Sequence, residues 1–423
     1  MPRRAVSQPS STTAKPAYLP TKDVLSFLKI KPQTLYAYVA RGWIRSFGQP
    51  HTRRKMYSRD DVERVRARSM ARSGHGPAAA SSMRWGEPVI SSSITQITAD
   101  GPRYRGRLAV DLCRAGHPFE TTADLLWAGV WNETGAPWST ARPPQAFAHA
   151  SNYLRRVLSQ LEFQQNVGLI VQLLSAAQGG NPEATLGGTE PAARQLIHVV
   201  ASAFARLAGG QPTATRPGES ITDILSRSMR KKLDDDDHEL LNAALTLSAD
   251  HELAPATFAT RIAASTGAHL HECITVGLAS WEGLGVDQIE DRVRNAKSKQ
   301  ELLNSIQLQQ RPGRTLYGFN HPLYATIDPR ARYLLDAVRA KRRITPKAKM
   351  FLDVIDAVQA DVGANPMLSI GLVAVQLSLD LPKRSAGGLF LLGRLAGWVA
   401  HVREQRRAGF LLRPRAKYAG PLT

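Results

Sequence analysis

Thirteen residues, Gly318 to Arg330 (GFNHPLYATIDPR), bring a histidine, a tyrosine and an Asp-Pro-Arg corner close together in the chain. Pro322 and Pro329 interrupt any continuous helix, so the sequence predicts an irregular, pinned segment carrying His321 and Arg330. An imidazole that donates to a ketone and a guanidinium that forks onto a carboxylate are what a keto-acid pocket needs. An ordinary loop has the same composition, and the segment alone leaves both readings open.

Other clusters have plainer readings. Asp234 to Asp237 fall at the start of a predicted helix running to Ser248, where the helix dipole favours negative charge; no metal site is expected there. His269 and His271 lie two apart inside a predicted helix, a spacing that cannot aim both rings at one metal, and they are expected on the surface. Arg403, Arg406 and Arg407 crowd the last helix as an anion-binding or dipole-compensating group. The run KRRITPKAK at 341–349 reads equally as a strip facing the phosphates of a ligand or as a solvated face.

The elements that position these residues are mostly helical. Leu196, Ile197, Val200, Phe204 and Leu207 recur at three- and four-residue steps between Pro191 and Gly209. Asp111–Trp131 reads as helix, and β-branched Val89–Ile97 can pair with the segment before Tyr104. The predicted body is almost wholly α-helical.

With 423 residues, 43% hydrophobic and 21% charged, the chain has room for two or three globular domains. No apolar run reaches the roughly 18 residues of a membrane span. Cys113 and Cys273 lack metal-ligand spacing, and a reduced, cytoplasmic protein is expected. Charge is uneven: residues 1–72 hold 16 Lys/Arg against four Asp/Glu, a large share of the net +20. A polyanion partner for this end, or a solvated basic face, follows.

Residues 1–17 are rich in Ser, Thr, Pro and Ala and are expected to be a disordered tail. Over 18–70, Thr21-Lys22-Asp23 can cap a helix bearing Val24, Leu25 and Leu28, and Lys31-Pro32-Gln33 turns into a second helix, Gln33–Ala40, that Gly42 ends. An extended arm then runs from Trp43 through His51–Lys55 to Tyr57, and Ser58–Asp61 caps a third helix with Val62 and Val65. That order suits DNA binding, with Gln33, Thr34, Tyr36, Tyr38 and Arg41 entering the major groove and Arg53, Arg54 and Lys55 meeting phosphates. The stretch LPTKDVLSFLKIKPQTLYAYVARGWIRS with RRKMYSRDDVERV resembles the winged helix-turn-helix of the MerR/excisionase class. Self-association is the other role open to it. Residues 71–88 read as a linker.

Several patches of the body resemble the citrate synthase family, in consistent order over about 88–421. They are Ile97–Gly106, Ala249-Asp250-His251-Glu252-Leu253, Ala264–Ala268, Gly318–Arg330, Gly393–His401 and Arg413–Tyr418. The resemblance implies an all-α, two-domain body acting as a dimer, with a large domain over 89–285 and 368–423 and a small domain over 286–367. It implies that His251, His321, Arg330 and Arg394 line an oxaloacetate pocket, with Arg413 reaching in from a partner subunit. His321 would polarise the ketone. Acetyl-CoA is the implied second substrate, and no tightly bound cofactor is expected.

Two positions depart from the family pattern. Where the family has the histidine that stabilises an enolate, this chain has Val286; where it has the aspartate base, this chain has Met367. Ala254 replaces an asparagine. Asp287, Glu282 and Asp361 are the nearest carboxylates, none in register. Each positioned acid or base is worth roughly two to four orders of magnitude in rate. The leading expectation is therefore a weakly active or inactive subunit that holds oxaloacetate- or citrate-type carboxylates and forms a dimer with itself or with an intact homologue. A DNA-binding regulator that senses a di- or tricarboxylate is one alternative, and an active citrate or methylcitrate synthase with displaced groups is the other.

Overall fold

The computed structural model describes residues 18–40, 43–44, 46–48, 55–59, 61–63, 65, 90–131, 135–139, 142–212, 214–281, 283–307 and 318–414. The chain divides into two compact units, one over Met1–Ser91 with Arg415–Thr423 and one over Ser92–Pro414.

In the first unit, β1 (Tyr18–Pro20) runs into α1 (Thr21–Leu28), followed by α2 (Pro32–Ala40), β2 (Ser46–Gly48) and β3 (Lys55–Ser58). The sheet order is β1-β3-β2, antiparallel throughout, with Tyr57 registered between Leu19 and Ser46. Leu19, Val24, Leu35, Ile44, Tyr57, Val62 and Val65 make its core. The expected Thr21 cap is corrected: α1 starts from Pro20 in extended backbone with no side-chain cap. The Ser58 hydroxyl accepts from the Asp61 N–H at 3.5 Å, at the start of helical residues 59, 61–63 and 65. The expected Gly42 stop and the arm over 49–54 lie outside the described residues.

The second unit opens with a hairpin, β4 (Thr95–Thr98) and β5 (Gly101–Tyr104), joined by a two-residue β6 (Arg107–Leu108). The Asp-Gly turn forms as expected, with Gly101 at φ +123°, while the first strand is shorter than Val89–Ile97. The single helix expected over Asp111–Trp131 is instead two, α3 (Ala109–Arg114) and α4 (Phe119–Ala128). Gly116 at φ +68° ends the first and Pro118 in extended backbone begins the second.

The remaining main helices are α5 (Phe163–Ala176), α6 (Thr189–Ala203), α7 (Asp235–Ser248), α8 (Pro255–Ser265), α9 (Leu270–Ala279), α10 (Leu284–Asn295), α11 (Pro329–Ala340), α12 (Pro346–Val362), α13 (Leu368–Ser378) and α14 (Ser385–Ala408). Shorter helices fill the intervals. Asp234 caps α7 by accepting the Asp237 N–H, so the aspartate run is a helix start, as its charge suggested. α14 is buried along most of its length and packs against α4, α6, α7, α8 and α13. No polar face is left on much of that helix, which fits a central position. Close approach has a local cause: a Cβ on Gly393 would lie 2.5 Å from the Leu245 carbonyl oxygen of α7.

His271 corrects an expectation. It is buried, and His269 is the cap residue of α9 rather than a residue within it. Two arginines of α14 are ion-paired: Arg403 with Glu190, and Arg406 with Glu183 at 2.6 Å. In the 341–349 run, Lys341 pairs with Asp237 and the Lys347 ammonium donates to the Ala296 carbonyl at 2.6 Å.

Candidate functional site

The site starts from a buried corner at the end of α7. Tyr104, at the end of β5, directs its hydroxyl between the carbonyls of Thr246 and Asp250, at 3.0 and 3.1 Å. Asp250 is fully buried; it accepts the Glu252 N–H at 3.2 Å, and His401 Nε2 lies 3.3 Å from its Oδ1. His401 Nδ1 lies 3.4 Å from Arg261 Nη1, which can only donate, so Nε2 carries the His401 proton toward Asp250. Burial pushes the Asp250 carboxyl up, but His401 and Arg394 outweigh it and hold the group below its ordinary range. Glu252 sits at φ +59°, so the chain turns sharply just past His251.

That corner presents His251, which is 7% exposed. Its Nε2 lies 2.9 Å from the Tyr324 hydroxyl. Burial, then the charges of Arg330, His321 and Arg394, hold the ring well below the usual histidine value, so it is neutral.

The second component is Gly318–Asp328. Gly318 is at φ +84°, and a Cβ there would come within 2.7 Å of Ile289 and 2.8 Å of Ile370. Phe319 bridges Pro366, the Asn320 N–H donates to the Asn365 carbonyl at 2.7 Å, and the Met367 N–H donates to the Gly318 carbonyl at 2.8 Å. This short antiparallel pairing fixes the loop. His321 follows it, with Nδ1 accepting the Leu323 N–H at 3.2 Å, which leaves the proton on Nε2. Burial, reinforced by Arg330, pulls His321 down to about 4, so the ring is neutral with one donor.

The ring centroids of His251 and His321 are 4.9 Å apart and edge-on, and that of Tyr324 lies 5.7 and 5.2 Å from them. Arg330 Cζ stands 5.9 Å from the Tyr324 ring. Arg330 is 3% exposed and is the second residue of α11, not part of the irregular segment as expected, because Pro329 fits the first helical position. Its Nε and Nη2 donate to Asp328 at 3.0 and 2.8 Å, so this side of the guanidinium is already occupied. The end-on pair, Nη1 with the other hydrogen of Nη2, has no hydrogen-bond partner among the described residues. Asp328 also accepts the Leu368 N–H at 3.1 Å, tying α11 to α13. Arg394, on α14, donates from Nε to the Ser248 carbonyl at 2.9 Å, and its charge reaches both histidines.

The structure thus brings together His251, His321 and Arg330, with Arg394 within electrostatic reach. Arg413 is exposed. Val286, in the first turn of α10, is 2% exposed and belongs to the hydrophobic core; Met367 is the residue that caps α13. Ala254 caps α8. Among alternative carboxylates, Asp287 lies 3.8 Å from Arg384, Asp361 is exposed, and Glu282 lies outside the described residues. Sequence reasoning passed over Tyr324, Asp328, Asp250 and His401, although all four stand in quoted motifs. The Asp-Pro pair before a helix was a readable cap signal; the burial of Tyr324 had no periodicity to announce it.

In the first unit, Gln33 and Tyr36 are exposed on α2, Thr34 is half-buried and Lys55 is exposed on β3. Tyr38 stacks on Trp43 at 5.3 Å and packs against the core. Arg41, Arg53 and Arg54 lie outside the described residues. Among the described residues, no helix is long and apolar enough to cross a membrane, and no group of His, Cys, Asp or Glu could hold a metal.

Comparison with known proteins finds relatives of this fold. A structure of citrate synthase from Thermotoga maritima superimposes with a TM-score of 0.64 at 20% identity, covering 80% of this chain and 95% of that one. The ternary complex of the Thermoplasma acidophilum citrate synthase with carboxymethyl coenzyme A and oxaloacetate gives 0.63 at 20% identity, covering 79% and 95%. These are likenesses of fold. In sequence, the chain is 26% identical to citrate synthase 2 of Bacillus subtilis over 357 residues, 79% of this chain and 95% of that protein. It is 28% identical to the Saccharolobus solfataricus citrate synthase over 247 residues, 54% of this chain and 64% of that protein. The family profile described as citrate synthase, C-terminal domain, matches residues 83–415, and the chain belongs to the citrate synthase family.

Proposed function

We propose that the body binds an oxaloacetate- or citrate-type carboxylate but lacks the pair of groups that would enolise a thioester, so that alone it is weakly active or inactive. On this reading it is one subunit of a dimer, with itself or with an intact homologue. Neutral His321 donates from Nε2 to the ligand's ketone. Arg330, through its end-on fork, and Arg394 meet carboxylates, and His251 supplies a further polar contact. The carrying observation is the pairing of Gly318–Asn320 with Asn365–Met367, which supports placing Met367 beside the His321 segment, where the family's base belongs.

A thioether cannot take a proton near neutral pH, and Val286 has none to give. Losing two positioned groups removes roughly four to eight orders of magnitude if they act independently, and less where they act as a unit. The third possibility, displaced catalytic groups, is weakened by Asp287, whose carboxylate lies beside Arg384. Acetyl-CoA is the second substrate on this reading, which the coenzyme A analogue in the Thermoplasma relative supports. The reading includes a large domain over 89–285 and 368–423 and a small domain over 286–367. Exposed Arg413 suits a side chain that completes a partner subunit's pocket.

The test is coenzyme A release from acetyl-CoA and oxaloacetate by the purified chain, with oxaloacetate binding measured by calorimetry. Binding without turnover is expected, and brisk turnover would sink the proposal. A second reading rests on the N-terminal unit, a compact body with its own core and exposed Gln33, Tyr36 and Lys55. As a winged helix-turn-helix it would bind DNA, making the chain a regulator that senses the carboxylate. Salt-dependent DNA binding that shifts on adding oxaloacetate or citrate would favour it; no binding at low salt would exclude it.

A further inference from the structure

We propose that Tyr324 is a positioning residue of this site, fixing through its hydroxyl which nitrogen of His251 carries the proton. The inference rests on the reading of the site as a carboxylate pocket for its consequence, but its geometry stands apart from that reading.

His251 and Tyr324 are 73 positions apart in sequence, and the contact between Nε2 and the phenol oxygen is 2.9 Å. Both residues are buried. The His251 ring is neutral, so it has one N–H and one lone pair, and which nitrogen holds which decides whether it can donate to a carboxylate. Burial, slightly offset by Arg330, pushes the phenol up to about 12, so Tyr324 keeps its proton across the physiological range.

Two arrangements are open. If Nε2–H donated to the phenol oxygen, the buried phenolic O–H would be left with no acceptor among the described residues, an expensive state for a buried donor. If the phenol donates instead, it is satisfied, Nε2 is the acceptor, and the proton of His251 sits on Nδ1. In the second arrangement the donor without a protein acceptor is Nδ1–H, on an atom that is not among the sealed, unpartnered ones, and Nδ1–H becomes the group His251 can offer a ligand.

The ring of Tyr324 has a second part in this. It packs against His321 and against Arg330, which also donates to Asp328. One side chain therefore touches three of the four residues proposed to hold the ligand. His321 is set by a different device, the Leu323 N–H on its Nδ1, so the two neighbouring imidazoles carry their protons on opposite nitrogens.

The experiment is long-range proton–nitrogen NMR on the full-length protein with labelled histidine, the His251 signals being assigned by their loss in His251→Asn. Wild type is expected to show His251 protonated on Nδ1 and His321 on Nε2. Tyr324→Phe, which keeps the ring, is expected to move His251 toward the Nε2–H tautomer and to weaken oxaloacetate binding about tenfold, the effect of one hydrogen bond. A wild-type His251 protonated on Nε2 overturns the inference, as does a folded Tyr324→Phe with unchanged tautomer and affinity. If wild type fails to bind oxaloacetate at all, the proposed function falls, and the tautomers alone still decide the role of Tyr324.

Discussion

The backbone N–H of Met367 donates to the carbonyl of Gly318 at 2.8 Å, in the same short pairing that joins Phe319 to Pro366. Through it, the start of α13 and the loop that carries His321 are held in one register. A thioether therefore occupies a place that is fixed from both sides, by the helix that follows it and by the strand-like segment opposite.

Met367 has backbone angles of φ −99° and ψ 169° and caps α13 without a side-chain hydrogen bond. Aspartate suits that position and can accept an N–H from the first turn, so Met367→Asp is expected to stabilise the protein by about 0.5–1 kcal/mol, read from urea midpoints. The buried Asp328 carboxylate nearby, which already takes the Leu368 N–H, keeps the gain at the lower end. Combined with Val286→His, the substitution is expected to raise coenzyme A release above that of wild type. A loss of stability in Met367→Asp would show that a carboxylate at this position does not cap α13.

Gly397 of α14 donates its N–H to the Ala249 carbonyl at 3.0 Å. A Cβ there would fall on that same carbonyl oxygen and on the Asp250 carboxylate. Gly397→Ala must push α14 away from the corner that presents His251, and overpacking of this kind costs about 1–3 kcal/mol. Lower thermal stability together with weaker oxaloacetate binding is expected. Unchanged binding in a destabilised variant would separate the corner from the site.

Asp287 is flanked by Arg384, Glu290, Asp291 and Glu162, and its Oδ1 has no partner among the described residues. Burial, opposed by Arg384, raises its carboxyl to about 6. A carboxyl raised above its unfolded value binds its proton more tightly in the folded state, so its contribution to stability falls as pH rises from about 4 to about 6 and is level beyond. Asp287→Asn is expected to stabilise the protein at pH 8 by on the order of 1 kcal/mol, after allowance for solvent screening, and to change little at pH 4. Denaturant titrations at the two pH values check it.

The helical body was readable because its long segments repeat apolar residues at helical spacing, as Leu196, Ile197 and Val200 do in α6, although the same pattern runs on through Phe204 and Leu207, past the helix end at Ala203. Breaks were harder. Gly116 and Pro118 divide a stretch whose hydrophobic pattern runs on regardless, so the periodicity alone predicts one helix where two form. Within the site, His251, His321 and Arg330 could be named from motifs, but their partners could not. The link from Arg261 through His401 to Asp250 joins α8 to α14 across 140 positions, and the sequence carries no local trace of it. His271 was misplaced because an i, i+2 argument about metals says nothing about burial.

Two histidines outside the site give the last expectation. His198 and His271 are buried, and neither ring nitrogen of either has a partner among the described residues. Burial pulls both down to about 4, against an ordinary value near 6.5. Between those values the unfolded chain binds protons that the folded chain does not, so stability rises with pH across that window. The contribution is complete above about pH 6.5 and is lost as pH falls toward 4. Each ring accounts for about 3 kcal/mol at most. Replacing both with leucine, which is close in volume and needs no hydrogen bond, is expected to leave stability at pH 7.5 within a few kcal/mol of wild type and to remove most of its fall between pH 6.5 and 4.5. Urea midpoints measured along that range decide it; an equally steep acid limb in the double variant would assign the loss to other groups.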